Sequence, residues 1–142
     1  VRALGVDLGS KRIGIAVSDR SGTIASPLTV VARSGNVAAD HRRIAALVAE
    51  EEAEMVVVGL PLNMNGSSGP AAQAAIREAA ALATVVDVPV ETFDERRTTV
   101  TADAVLMERK MNAQARRRVI DKVAAAVMLQ NWLDSRGAHR WD

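Results

Sequence analysis

The chain has no cysteine and no tyrosine, and only one phenylalanine, Phe93, beside two tryptophans. Without thiols, disulfides and thiolate metal sites are excluded, and a reducing compartment is compatible. With aromatics at 2%, a base-stacking platform of the RRM or OB type has nothing to be built from. No apolar run approaches the ~20 residues of a membrane span, and no signal-peptide pattern opens the sequence. A cytoplasmic protein with no membrane partner is expected. A large charge of either sign is also lacking. The net charge is +1, so any affinity for nucleic acid rests on local clusters.

What is present is aliphatic. Hydrophobic residues make up 49% of the 142 positions, enough for one core of Val, Ala, Leu and Ile. A single domain over 1–135 is expected, with 136–142 as a C-terminal tail. Val1–Leu8, Ile13–Ser18 and Ile24–Val31 read as strands joined by short turns, an antiparallel meander. Asn36–Glu54 has helical periodicity through Ile44, Leu47, Val48 and Glu51. Met55–Leu60, MVVVGL, reads as a strand buried on both faces. A Gly, Asn and Ser-rich loop over Pro61–Gly69 leads to a helix Pro70–Val85, with Pro70 in its first turn. A strand Val88–Phe93 and two helices, Thr98–Met111 and Ala113–Ser135, complete the chain. Strands separated by helices run parallel. The expected fold is α/β: a mixed five-stranded sheet, an antiparallel meander plus two parallel strands, flanked by helices on both faces.

Three carboxylates stand where this pattern does not need them. Asp7 interrupts the first strand between Val6 and Leu8, where a lone charge is unfavourable unless paired. A salt bridge to Lys11 or Arg12 is one reading, and a metal ligand at a strand end is the other. Asp94 and Glu95 follow the last strand, at the strand end where open α/β sheets bind ligands. The residues alone do not choose between those two. Asp121 shares a helical stripe with Ala124, Ala125 and Met128, small and apolar, so it points at the sheet unless it pairs with Arg117 or Arg118. Three acids converging would repel and raise one another's pKa, and divalent cations remove that penalty. Oxygen donors without His or Cys suit Mg²⁺ or Mn²⁺. Two such ions ~3.5–4 Å apart are a common arrangement for in-line attack on a phosphodiester.

Four stretches then stand in a telling order: DLGSKRIGIAVSD (Asp7–Asp19), GLPLNMNGSSGPAA (Gly59–Ala72), DERRTT (Asp94–Thr99) and IDKVAAAVMLQ (Ile120–Gln130). Over nearly its whole length the chain resembles the YqgF family. These are ribonuclease H-like proteins associated with Holliday junction resolution and with maturation of the 5′ end of pre-16S rRNA. The resemblance implies a ribonuclease H-like fold and places the family's catalytic, metal-binding triad on Asp7, Glu95 and Asp121. Asp94 becomes the neighbour. The family has an apolar residue after the first Arg of DER, where this chain has Arg97, a further basic group beside the site.

Basic and polar residues around these acids fit a phosphate backbone. Lys11 and Arg12 lie in the turn beside Asp7. The segment Gly59–Gly69 joins a strand end to a helix N-terminus, where backbone N–H groups attract anions. Asn63, Asn65, Ser67 and Ser68 are its side-chain donors, and Gly66 allows close backbone approach. It lacks the Gly-Lys-Ser/Thr ending of a Walker A loop. Arg96 and Arg97 follow Glu95, and Arg117 and Arg118 flank Asp121, a surface that tracks phosphates. His41 and His139 have no partner at metal-ligand spacing, and no role is expected of them.

The expected function is a metal-dependent endonuclease using Mg²⁺ or Mn²⁺, with two ions, on nucleic acid. The substrate is pre-rRNA or branched DNA. A junction resolvase needs paired cuts and hence a homodimer, whereas an rRNA nuclease does not, so a monomer or a homodimer is expected. A phosphotransferase of the actin and sugar-kinase type shares the core but needs two such domains, and the length argues against it. A non-catalytic ribosome-assembly adaptor is the third class, and the retention of all three acids speaks against it.

Overall fold

The structure, a computed structural model, describes residues 1–61, 69–94 and 113–140, with side chains over 1–61, 69–94 and 120–136. Five strands, β1 (Ala3–Leu8), β2 (Arg12–Ser18), β3 (Ala25–Ala32), β4 (Met55–Leu60) and β5 (Val90–Asp94), form one sheet in the order β3-β2-β1-β4-β5. The first three pair antiparallel, and β4 and β5 add in parallel beside β1. This is the mixed sheet expected from the order of elements. Three described helices, α1 (Val37–Glu50), α2 (Pro70–Ala83) and α3 (Ala113–Arg140), pack on it. The expected helix Thr98–Met111 lies outside the described residues.

Alternation along each strand separates two cores of different character. Leu4, Val6, Ile13, Ile15, Val31, Val56 and Val58 pack with Ile44 and Val48 of α1 and Ala79 and Leu82 of α2. The opposite face carries Ala3, Ala16 and Val57 under Ala125, Met128, Leu129 and Trp132 of α3. Val56, Val57 and Val58 are all fully buried, so β4 is covered on both sides as its unbroken apolar run requires.

The α3 face is lined with small residues, and this sets how closely the helix lies. A Cβ added at Gly5 would stand 3.0 Å from the Leu129 Cβ. One added at Gly14 would collide with the main-chain carbonyl of Asp121. Here the helix backbone rests directly on the strand backbone. Gln130 ties the same helix to the meander, accepting from the Ala25 N–H (2.9 Å) and donating to the Thr23 carbonyl (2.9 Å).

Two helix ends differ from expectation. Helix α1 stops at Glu50 rather than Glu54 because Glu52 adopts φ 53°, and the Glu52 and Ala53 N–H groups turn back to the Ala49 and Val48 carbonyls. That is a Schellman closure with glutamate in the left-handed position. Helix α3 continues to Arg140, through most of the expected tail. Buried Trp132 and Leu133 anchor its last described turns, and the Arg136 guanidinium stacks 4.6 Å from the Trp132 ring centre. Among the described residues no helix is long and apolar enough to cross a membrane.

Candidate active site

Asp7 falls on the α3 face by strand parity with Ala3 and Gly5. Its partner across the antiparallel ladder is Gly14. Gly14 is also the residue on which the Asp121 backbone rests. One glycine therefore adjoins both acids, and the main-chain contact brings α3 down beside the C-terminal end of β1. The stripe Asp121, Ala124, Ala125 and Met128 does face the sheet, with the last three buried.

The electrostatics record this closeness. The Asp7 carboxyl is pushed up to about 6, first by its burial and then by the negative charge of Asp121. Arg12, at the start of β2, donates from Nε to Asp121 Oδ2 in a partly buried ion pair. The basic turn therefore does neutralise an acid, but that acid is Asp121, where a pairing of the turn with Asp7 was the alternative reading. Lys11 in the same turn is exposed.

The turn itself is tight. The Gly9 N–H donates to the Arg12 carbonyl at 3.0 Å, and a Cβ on Gly9 would collide with that carbonyl oxygen. It is also held from outside. The Arg33 N–H donates to the Lys11 carbonyl (3.0 Å), and Arg33 Nε donates to the Gly9 carbonyl (2.9 Å). The Arg33 guanidinium then forks onto Glu78 of α2 at 2.7 and 3.0 Å. His41 Nε2 meets Glu78 Oε2 at 2.8 Å. Burial alone would raise the Glu78 carboxyl, but the hydrogen bonds from Arg33 and His41 and their charges outweigh it and hold Glu78 low.

Sequence reading missed this second group. No role is expected of His41 from the sequence, whereas His41 is buried and bonded to Glu78. The signal was available: His41 lies three residues before Ile44 and seven before Val48, on the buried stripe of α1. Its pairing with Glu78, 37 positions away, has no local signature.

Of the expected site, Asp7, Arg12 and Asp121 are brought together, with Lys11 in the adjoining turn. Asp94 ends β5 opposite Leu60. Glu95, Arg96, Arg97, Asn63, Asn65, Gly66, Ser67 and Ser68 lie outside the described residues, and so do the side chains of Arg117 and Arg118 on α3. Among the described residues no group of three or more His, Cys, Asp or Glu could hold a metal ion. Asp7 and Asp121 make a pair. Two partly buried carboxylates, one resisting ionisation first because of its burial and then because of the other's charge, are a donor set that suits a hard divalent cation.

Comparison with known proteins identifies the arrangement. The family description "RuvX: Holliday junction resolvase" matches residues 1–135. The chain belongs to the RuvX family. A relative from Pelotomaculum thermopropionicum, named "Putative pre-16S rRNA nuclease", is 46% identical over 140 residues, covering 99% of this chain and 91% of its own. Relatives of the same name from Thermoanaerobacter pseudethanolicus and Myxococcus xanthus are each 47% identical, covering 95% and 99% of this chain and 97% and 90% of their own. Among solved structures, Thermus thermophilus RuvC in complex with a Holliday junction substrate superposes with a TM-score of 0.60 at 19% identity, over 97% of this chain and 96% of that one. At that identity RuvC attests the shared ribonuclease H-like fold. The RuvX chain thus has the expected architecture and is, by family, a hydrolase acting on nucleic acids.

Proposed function

We propose that this RuvX-family chain is a divalent-metal-dependent endonuclease that matures the 5′ end of pre-16S rRNA, with Asp7, Glu95 and Asp121 as its catalytic metal ligands. The observation that carries the reading is the convergence of Asp7 and Asp121 across Gly14, with Asp7 raised to about 6 by burial and by its neighbour's charge. A carboxylate pair of that kind is unfavourable for folding alone and belongs to a functional site. The names of relatives at 46–47% identity support RNA as the substrate.

In the mechanism, bound Mg²⁺ or Mn²⁺ supplies an acidic water and neutralises charge on the phosphate. The chain's own residues do the remainder. Asp7 and Asp121 present oxygens from a strand end and a helix fixed to each other by backbone contact. Lys11 reaches out from the turn to a backbone phosphate. Arg12 balances the Asp121 charge beside these oxygens. Arg96, Arg97, Arg117 and Arg118, with Asn63, Asn65 and Gly66, extend the contact along the backbone.

A second reading, resolution of Holliday junctions, is favoured by the family description and by the RuvC fold. One assay separates them. Purified protein, with Asp7→Asn as control, is given a 5′-extended 16S rRNA precursor and a four-way DNA junction, each with Mg²⁺ or Mn²⁺. Metal-dependent cutting of the RNA alone supports the maturation nuclease. Symmetric nicks in the junction would replace it by the resolvase and require a dimer. Cutting by Asp7→Asn at the wild-type rate would remove Asp7 from the chemistry.

A further inference from the structure

Three polar side chains from three different elements, Arg33, His41 and Glu78, meet behind the Gly9–Arg12 turn, on the side away from Asp121. Arg33 follows β3, His41 is on α1 and Glu78 is on α2. Side-chain exposure is 17% for Arg33, 17% for Glu78 and 4% for His41. An ion pair this desolvated contributes little net stability, and apolar residues of similar volume often serve a core as well. It does fix geometry, because a fork of two parallel N–H···O bonds orients a guanidinium plane. Here the oriented guanidinium is the one whose Nε holds the Gly9 carbonyl, while the same residue's main chain holds the Lys11 carbonyl. Two carbonyls of the turn, those of Gly9 and Lys11, are thus gripped by one residue. In a trans peptide the carbonyl and the following N–H point in opposite directions, and the described chain has no cis bond. Holding Gly9 and Lys11 this way turns the Ser10 and Arg12 N–H groups to the opposite side.

We infer that Arg33, Glu78 and His41 form a positioning network that presets the Gly9–Arg12 turn for phosphate contact by Lys11. Glu78 is the hub: it orients Arg33 and is itself fixed by His41. All three act through the turn and touch no reacting atom. The inference rests on reading that turn as a phosphate contact, so its test separates the two.

Binding of a fluorescently labelled 5′-extended 16S rRNA fragment is measured in the full-length Asp7→Asn background, where cleavage does not intervene. Lys11→Ala is expected to weaken binding about fivefold, the scale on which one lysine–phosphate interaction acts. Arg33→Lys keeps the positive charge but cannot hold Gly9 and both Glu78 oxygens at once, and it should weaken binding by a similar factor. Glu78→Gln alters a single atom of the hub and should act in the same direction. The deciding variant is Arg33→Lys with Lys11→Ala. If the network acts through the turn, the double variant binds no worse than Lys11→Ala alone. Multiplying losses, or full affinity in both Arg33→Lys and Glu78→Gln, would overturn the network while leaving the phosphate contact intact. Full affinity in Lys11→Ala would overturn the phosphate contact itself, and the network's role with it. Unchanged circular dichroism and a cooperative thermal transition establish that each variant is folded.

Discussion

Arg12 and Asp121, 109 positions apart in sequence, form an ion pair that joins the first residue of β2 to α3. Because Asp121 is also a proposed metal ligand, the guanidinium and a divalent cation compete for the same carboxylate. Arg12→Gln is therefore expected to strengthen divalent binding severalfold while weakening attachment to RNA. The shift in thermal midpoint during a Mg²⁺ or Mn²⁺ titration reads the first effect without any cleavage. An unchanged titration curve in the variant would mean that the cation does not bind through Asp121.

Asp7 is expected to destabilise the metal-free fold at neutral pH, and the direction with pH follows from its raised carboxyl. The native state holds the proton more tightly than the unfolded chain does, so this group favours folding below about 3.8 and the contribution is lost as pH rises through about 6. The full difference is at most about 3 kcal/mol at neutral pH. Asp7→Asn should then be more stable than wild type at pH 7 in the presence of a chelator, and the gap should close toward pH 4. Urea unfolding at the two pH values checks this. Equal stability at pH 7 would show that the carboxylate is not buried against Asp121.

Gly14→Ala places a methyl group where the Asp121 carbonyl already sits. Both partners are backbone, so the helix must lift. The expected loss is about 1–3 kcal/mol of stability, together with a fall in the Asp7 pKa toward its ordinary value as the lifted helix admits water to Asp7 and carries Asp121 away. Carboxyl titration by NMR reads the second effect, which a merely loosened core elsewhere would not produce.

Glu52→Gly tests the end of α1 and leaves the site alone. Glycine adopts the left-handed position without the clash that glutamate suffers there. The exposed pair of Glu52 with Arg20, at 2.9 Å, is removed but contributes little. A net gain of about 1 kcal/mol in stability is expected, seen as a higher midpoint in thermal unfolding. A lower midpoint would mean that the surface pair outweighs the backbone strain.

The mixed sheet and the sheet-facing stripe of Asp121 were legible because they follow from the order of elements and from periodicity. Alternation fixes which face Asp7 shares with Gly5, and the helical stripe through Ala124 and Ala125 fixes where Asp121 looks. The pairing of Arg12 with Asp121 was not legible. Nothing local links two residues 109 positions apart, and the backbone contact at Gly14 is what brings α3 down beside the start of β2. His41 was hidden for another reason: its neighbours Arg42 and Arg43 gave the segment the look of a solvated face, and its partner lies on another helix. The early end of α1 escaped because glutamate is a poor signal for a left-handed residue.

The two faces of the sheet differ in how freely they can drift. Where Leu4, Val6, Ile13 and Ile15 meet α1 and α2, the contact is between branched side chains, which can exchange volume with one another. Where Gly14 meets α3, main chain meets main chain, and there is no side chain left to yield. Sequence divergence can therefore accumulate under one face while the other remains a fixed gauge between two acids.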